Sequence, residues 1–126
     1  MAIEQALEFR FVDGCGLAVD DFVTPAAIVK LLRWMNAPSR RGALWDLYST
    51  PGQEGTLRTR LTELAPRVRA KTGTLGGVNA LSGIIAMPDG SFRYFAIVAN
   101  HHTASSAAAN AAIDAIVRAA ASVEQR

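Results

Sequence analysis

The chain has 126 residues, half of them hydrophobic, which is enough for one compact core and too little for several domains. The formal net charge is +2, so the sequence pI near 9.1 reflects a small basic excess and does not favour nucleic acid as a partner. Cys15 is the only cysteine, which excludes an internal disulfide and a cysteine-based metal site.

The N-terminal residues do not have the pattern of a targeting segment. The stretch from Met1 to Phe11 includes Glu4, Glu8 and Arg10 and lacks a basic start followed by an apolar run, so no signal peptide is predicted. No stretch is apolar for long enough to predict a membrane span. From residue 5 to residue 12, apolar and charged side chains alternate with a period of two, which predicts a short strand.

A turn and a well-signalled helix follow. Asp13-Gly14-Cys15-Gly16 is typical of a turn, because glycine permits positive φ and aspartate can bond its own backbone. Thr24 is suited to cap a helix whose first residue is Pro25, and Asn36-Ala37-Pro38 ends it. Its predicted apolar stripe consists of Ile28, Leu31, Leu32 and Met35.

Residues 38 to 60 combine prolines and glycines with scattered aromatic and arginine side chains. This composition predicts a loop with one short helix at about Ala43 to Tyr48. A connection of this length without regular structure is uncommon in a compact domain unless it serves a function.

Three strands are predicted in the second half of the chain. The first begins at Arg67 and has one basic side, because Arg67, Arg69 and Lys71 alternate with smaller residues. The other two span residues 79–87 and 92–99, and the Asp-Gly pair between them is typical of a tight hairpin. Both are apolar on both faces, so we expect cover on both sides.

The alanine-rich stretch from residue 104 to residue 123 predicts a final helix, with Thr103 or Ser105 as its N-cap. Its predicted apolar stripe consists of Ile113, Ile116, Val117 and Ala120. Together the elements predict an α+β fold, in which an antiparallel sheet of about three strands is flanked by helices.

Lys71-Thr72-Gly73-Thr74 is the main candidate for a substrate-binding site. The Lys71 ammonium can attract a carboxylate, and the hydroxyls of Thr72 and Thr74 can add hydrogen bonds. Gly73 permits the close approach of another chain, and an edge strand can pair with a peptide. Taken alone, the triplet is weak, because edge strands often carry basic residues merely to prevent aggregation.

Four segments together are more specific. Asp13-Gly14-Cys15-Gly16-Leu17-Ala18 is similar to Asp-Gly-Ser-Gly-Leu-Ser, and Val23-Thr24-Pro25 is similar to the helix start that follows it. Gly55-Thr56-Leu57-Arg58 resembles a Gly-Thr-Leu segment ahead of a Lys-Thr-Gly strand, which Ala70 to Leu75 matches, followed by Leu81-Ser82-Gly83. In this order, over roughly residues 10 to 120, they resemble the class C low-molecular-mass penicillin-binding proteins, which are serine D-Ala-D-Ala carboxypeptidases and endopeptidases.

The resemblance implies a partial DD-peptidase fold, with residues 1–126 as its C-terminal part and without the half that holds the catalytic serine. It implies that Lys71, Thr72, Gly73 and Thr74 bind the end of a peptidoglycan stem peptide or a beta-lactam, with the Thr74 backbone N–H as an oxyanion-hole donor. It implies no metal or cofactor, and a parent enzyme in the periplasm or outside the cell. The strand at 92–99 would be an exposed edge that pairs with a second copy or with the missing N-terminal half.

Two catalytic motifs of that family are absent from the sequence. A Ser-x-x-Lys motif is impossible, because Ala27 and Val68 stand three residues before the two lysines. A Ser-x-Asn motif is impossible too, because the residues two before the asparagines are Trp34, Gly77, Val98 and Ala108. Without a nucleophile and its base no acyl-enzyme can form, so we expect the isolated chain to be inert. A non-catalytic peptide-binding or protein-interaction domain is the alternative function.

Three other readings are less favoured. Cys15 could be a nucleophile with His101 or His102 as its base, although no spacing rule links them. The adjacent histidines could bind metal, but neighbours on an extended segment point to opposite sides. A nucleic-acid surface could use Trp34, Trp45, Tyr48, Arg40, Arg41, Arg58 and Arg60, but the small net charge favours solvated loops and core aromatics.

Overall fold

The structure, a computed structural model, describes residues 8–122. The predicted α+β fold is confirmed, since helices flank a three-stranded antiparallel sheet. The helices are α1 (Pro25–Met35), α2 (Arg41–Leu47) and α3 (Ser106–Ser122), and a 3-10 turn covers Thr62–Leu64. The strands are β1 (Phe9–Arg10), β2 (Phe22–Val23), β3 (Val68–Leu75), β4 (Val78–Ala86) and β5 (Phe92–Ala99). Within residues 8–122, no helix has the length and apolar character needed to cross a bilayer.

The main sheet has the strand order β3-β4-β5, with every neighbouring pair antiparallel. The hairpin between β4 and β5 forms where the sequence predicts it. Asp89 accepts a hydrogen bond from the Ser91 N–H at 2.9 Å, and Gly90 has a φ of 82°, which side-chain-bearing residues rarely adopt. The strands therefore pair in a register that the turn fixes at one end.

Both faces of the sheet are covered, as predicted from the apolar strands. On one face Leu81 and Ile85 of β4 belong to the same buried cluster as Ile113 and Val117 of α3. On the other face Ile84 is buried in a cluster with residues of α1 and α2. Period-two alternation along β4 explains this, because neighbouring residues point to opposite faces. The sheet is thus the middle layer between two sets of helices.

The predicted strand at residues 5–12 is largely wrong within the described range. β1 has two residues and pairs with β2, where no strand is predicted from sequence, and the two form a separate ladder. Residues 5–7 of the prediction lie outside the described residues. The alternation of Phe9 and Phe11 marks no buried face, since both rings are exposed and stacked on each other at 5.4 Å.

Helix α1 starts and ends as predicted. The Thr24 hydroxyl accepts a hydrogen bond from the Ala27 N–H at 3.1 Å, and Asn36 is the C-cap. Its apolar stripe is narrower than predicted, because Leu31 is 52% exposed while Leu32 is fully buried. Ile28 and Met35 pack against the same cluster as Leu32. One step along a helix rotates a side chain by about 100°, which carries Leu31 off the sheet.

Helix α3 is also confirmed, with Ser105 as its N-cap through a 3.2 Å bond from the Ala108 N–H. Its predicted stripe is wrong at Ile116, which is 53% exposed. The buried apolar positions recur every four residues, and the small alanines among them let the helix lie close to the sheet. They are Ala109, Ile113, Val117 and Ala121.

The long connection between α1 and β3 is packed rather than open. Its helix α2 lies close to the predicted position, and Leu57 and Leu61 are buried in the main core. Arg60 donates two hydrogen bonds to the carboxylate of Asp114 on α3, at 2.7 and 3.1 Å. The connection therefore holds α3 and the sheet together.

Candidate functional site

The Lys-Thr-Gly strand, β3, is an edge strand whose exposure increases along its length. Val68 and Ala70 are buried, whereas Lys71 and the residues from Gly73 to Leu75 are exposed. Ser49 covers the outer side of Ala70 with two 3.1 Å backbone bonds, one in each direction. Beyond Ala70 no further bridge to the outer side of β3 exists within residues 8–122. The open edge, which we define as Lys71 to Leu75, begins where that bridge ends.

The backbone groups of Thr72 and Thr74 point out of this edge. The Ala86 N–H donates to the Arg67 carbonyl at 2.8 Å, which makes Arg67 a hydrogen-bonded partner of β4. In an antiparallel pair such positions alternate with positions that face away. The alternation agrees with Ala70, whose backbone groups bond outward to Ser49. The N–H and C=O of Thr72 and Thr74 therefore face the open side.

The Lys71 ammonium lies beside these outward groups. Its Nζ donates to the Thr72 carbonyl at 2.6 Å, and the side chain is exposed. Across the strand Lys71 is paired with Ser82. The cation is thus free to exchange its neutral carbonyl partner for an anionic oxygen, because bonds to a charged acceptor are the stronger ones.

The side chains of the motif divide between the two faces of the sheet. Lys71 and Gly73 lie on one face, and Thr72 and Thr74 lie on the other, since successive side chains of a strand alternate. A Cβ on Gly73 would meet only the Ala80 Cβ, at 3.5 Å, which is ordinary contact. Packing therefore does not require glycine here, and its effect is to leave the face next to Lys71 open.

A buried polar group lies under the end of the open edge, and the sequence gives little sign of it. Asn79, opposite Thr74, is fully buried, and its Oδ1 lies 2.9 Å from His102 Nε2. The Asn79 amide also donates to Asn110 of α3 at 3.2 Å. The only sequence signal is an asparagine at an otherwise apolar position of a predicted strand.

Arg69 is basic, as predicted for this side of β3, but it does not belong to the open edge. Its guanidinium donates to the Thr50 hydroxyl and lies 5.1 Å from the centre of the Trp45 ring. Its Nε is buried without a hydrogen-bond partner among residues 8–122. Arg69 therefore attaches the segment around Thr50 to the sheet.

The Asp13 turn is held by its own carboxylate. Oδ1 accepts from the N–H groups of Cys15 and Gly16, at 3.0 and 2.7 Å, and Oδ2 accepts from those of Leu17 and Ala18. The Gly16 N–H above all, and next the Cys15 thiol, hold the pKa of Asp13 well below its ordinary value. The turn therefore keeps an ionised carboxylate at its centre.

The less favoured readings gain no support. The Cys15 thiol donates to the Asp13 carboxylate at 3.2 Å, so its partner is an acid and not a histidine. Both ring nitrogens of His102 face oxygen atoms, of Ala104 and Asn79, and no cluster of three potential metal ligands occurs in the described part of the chain. Arg41 stacks on the Phe92 ring at 4.5 Å, an internal contact rather than a nucleic-acid surface.

Comparison with known proteins identifies the family. The family model described as the D-Ala-D-Ala carboxypeptidase 3 (S13) family matches residues 5–123. The chain is 33% identical over 118 residues to the Carboxypeptidase DacB of Mycolicibacterium smegmatis, an alignment that covers 86% of this chain and 25% of the relative. It is 39% identical over 120 residues to a D-alanyl-D-alanine carboxypeptidase of an Actinomadura species, covering 82% of this chain and 22% of the relative. The chain thus spans about a quarter of the length of the curated relatives it matches.

Solved structures agree with the fold. Penicillin binding protein 4 (dacB) from Haemophilus influenzae, solved in complex with a novel beta-lactam, matches with a TM-score of 0.72 at 22% identity, covering 88% of this chain and 28% of that one. A second structure of that protein matches with a TM-score of 0.65 at 25% identity, covering 81% of this chain and 24% of that one. The resemblance seen in the sequence motifs is confirmed. Since the family model matches nearly the whole chain, this chain belongs to the D-Ala-D-Ala carboxypeptidase 3 (S13) family.

Proposed function

We propose that the chain forms one wall of the substrate cleft of a serine D-Ala-D-Ala carboxypeptidase or endopeptidase acting on peptidoglycan stem peptides. The observation that carries this proposal is the open edge, where an exposed Lys71 lies beside outward-facing backbone groups of Thr72 and Thr74. The membership of the chain in an S13 carboxypeptidase family supports the substrate class. The substrate is the D-Ala-D-Ala or cross-linked end of a stem peptide, and a beta-lactam is its inhibitor counterpart.

Each residue of the motif has a role in this proposal. Lys71 attracts the terminal carboxylate from one face of β3, and the hydroxyls of Thr72 and Thr74, on the other face, orient a ligand that lies along the outer edge of the strand. Gly73 leaves the face beside Lys71 open to the substrate backbone. The outward Thr74 N–H is an oxyanion-hole donor, paired with the N–H of a serine that this sequence does not contain. The Thr74 roles come from the family resemblance, and the direction of its N–H is compatible with them.

The serine and lysine of catalysis must come from elsewhere in this proposal. Residues 1–126 correspond to the C-terminal part of the DD-peptidase domain, and neither Ser-x-x-Lys nor Ser-x-Asn occurs in them. The isolated chain is then inert, because acylation needs a nucleophile and its base within hydrogen-bond distance. A parent enzyme that cuts peptidoglycan works in the periplasm or outside the cell.

Binding by the open edge can be measured without catalysis. A diacetyl-Lys-D-Ala-D-Ala peptide should shift the amide resonances of Thr72 and Thr74 in a ¹⁵N NMR titration of the chain. Replacing Lys71 by alanine should weaken this binding by roughly tenfold, because a charge-assisted bond to a carboxylate contributes about 1.5–3 kcal/mol. The dissociation constant from the titration measures the loss.

The chain contains a matched control, Lys30, which is its only other lysine. Lys30 lies on α1 and forms a salt bridge with Glu8 at 2.5 Å. Lys30→Ala should leave the dissociation constant unchanged. A peptide with an amidated C-terminus should bind as weakly to the natural chain as the free acid does to Lys71→Ala. Equal binding of acid and amide would contradict the carboxylate role of Lys71.

A second candidate function is a non-catalytic peptide-binding or protein-interaction domain, which the absence of Ser-x-x-Lys favours. β5 supports it as well, because it is the other edge of the sheet within residues 8–122. The same alternation that fixes β3 turns the backbone groups of Tyr94, Ala96 and Val98 outward from β5. Val98 is 39% exposed. Such an apolar edge can pair with another strand.

We therefore expect the isolated chain to self-associate through β5, as a homodimer or a larger species, or else to pair there with the missing N-terminal half. Light scattering should show a mass that rises with concentration. Ala96→Pro should reduce it, because proline removes an outward N–H and does not fit strand pairing. A chain that stays strictly monomeric at high concentration would contradict this expectation.

A further inference from the structure

The strongest unused feature of the molecule is the polar group beneath the open edge, formed by Asn79, His102 and Asn110. His102 is half-buried, and its backbone N–H and both ring nitrogens have partners. Its backbone N–H donates to the Gly77 carbonyl at 3.1 Å, its Nδ1 lies 3.1 Å from the Ala104 carbonyl, and its Nε2 lies 2.9 Å from Asn79 Oδ1. One residue thus joins the β3–β4 turn, the buried strand position and the start of α3.

This group lies directly opposite Thr74. Asn79 is paired with Thr74 in the register of β3 and β4, and the pair is of the type without mutual hydrogen bonds. In such pairs the two Cα atoms are about 4.5 Å apart and the side chains are closest. Asn79 is fully buried, so any change in its hydrogen bonds must be accommodated by its neighbours.

The turn that ends the open edge depends on the same residue. Gly77 has a φ of 69°, and a Cβ added there would lie 3.4 Å from the His102 carbonyl. The backbone of His102 therefore packs closely against the turn. His102 thus contacts two neighbours of Thr74, namely the turn that follows it and Asn79 opposite it.

We propose that His102 is a positioning residue for Thr74, which sets the direction of the outward Thr74 N–H. The inference rests on the proposed function for the role of that N–H, but not for the coupling itself. His102 does not touch the substrate site. It acts through Asn79 and Gly77, which share hydrogen bonds with its ring and its backbone.

The ring also holds the side chain of Asn79 in place. Its two nitrogens face the Ala104 carbonyl and Asn79 Oδ1, and the Asn79 amide donates to Asn110. Removing the ring therefore leaves a buried amide oxygen without its partner directly opposite Thr74.

His101 offers a matched control, because it is the neighbour of His102 in sequence and is exposed. Lys71 lies on the opposite face of β3 and therefore does not approach Asn79 or His102.

The test is a set of ¹⁵N–¹H NMR spectra of the ligand-free chain and its variants. We expect His102→Ala to shift the Thr74 and Gly77 amide resonances, and the matched variant His101→Ala to leave them unchanged. His102→Gln should restore part of the natural positions, because its side-chain amide can donate to Asn79 Oδ1. In His102→Ala the Asn79 amide should also exchange about fivefold to tenfold faster, with Val68 unchanged.

If His102→Ala fails to fold, Asn110→Ala removes the other side-chain partner of Asn79 and should also shift the Thr74 amide. A Thr74 amide that keeps its position in both variants, or that shifts equally in His101→Ala, would overturn the proposal. No peptide is present, so such a result would leave the substrate role of the open edge standing. Conversely, a Thr74 amide that shifts in His102→Ala, in a chain that binds no D-Ala-D-Ala peptide, would support the positioning and refute only the proposed function.

Discussion

A fluorescent penicillin should leave no covalent label on the isolated chain. In this family a serine attacks the beta-lactam carbonyl, and that serine needs a nearby base to lose its proton. No serine of the chain stands three residues before a lysine, so that arrangement is unavailable in the sequence. Gel fluorescence and the intact mass after denaturation should both show unmodified protein, whereas a full-length family member treated in parallel should be labelled.

Cys15 needs a control of its own. It is exposed, and a free thiol can react slowly with an activated carbonyl without any catalytic site. Cys15→Ser removes that background and also restores the serine that the resemblance places in the Asp13 turn. A stable adduct on Cys15→Ser, at a stoichiometry near one, would contradict the prediction that the chain is inert. Weak label on the natural chain that disappears in this variant would agree with it.

Gly83→Ala should lower the free energy of unfolding by about 3 kcal/mol or more, because the added Cβ would overpack the contact between β3 and β4. A Cβ at this position would lie 2.2 Å from the Arg69 carbonyl and 2.7 Å from the Ala70 Cβ. Real Cβ atoms do not approach so closely, so β3 would have to move away from β4. Urea denaturation followed by circular dichroism measures the change, and the open edge would be displaced with the strand.

Two other glycines are matched controls for this substitution. Gly42 lies in α2 with no atom within 4 Å of an added Cβ, so Gly42→Ala should leave stability unchanged or raise it by up to about 1 kcal/mol. Gly73→Ala adds only an ordinary contact with Ala80 and should cost less than about 1 kcal/mol. If Gly83→Ala unfolds at the same urea concentration as these two, the close approach of β3 and β4 is not what requires glycine.

Close packing between β3 and β4 explains why the Leu-Ser-Gly segment ends in glycine at Gly83. In the sequence it is one letter of a Leu-Ser-Gly segment that supports a family resemblance. In the structure it faces Ala70 across the sheet, at the point where Ser49 covers the other side of the same strand. The glycine allows the strand to lie close just before the open edge begins.

The elements with local signals could be predicted from the sequence. Thr24 caps α1, Asp89 and Gly90 form the hairpin, and Ser105 caps α3, because each depends on contacts within a few residues. The predictions of buried side chains were wrong where contacts with distant residues decide which helix positions are covered. Leu31 and Ile116 satisfy a helical period but face away from the sheet, since periodicity gives a face without saying which part of it is covered.

The same distinction applies to the candidate site. The sequence by itself determined the Lys-Thr-Gly motif, the family and the absence of Ser-x-x-Lys, because residue identity and spacing suffice for these. Only the tertiary structure decided that Ser49 covers β3 up to Ala70, that the Thr74 N–H faces outward, and that His102 lies behind it. Strand register and contacts between residues far apart in the chain fix these features, and neither is encoded in a local pattern.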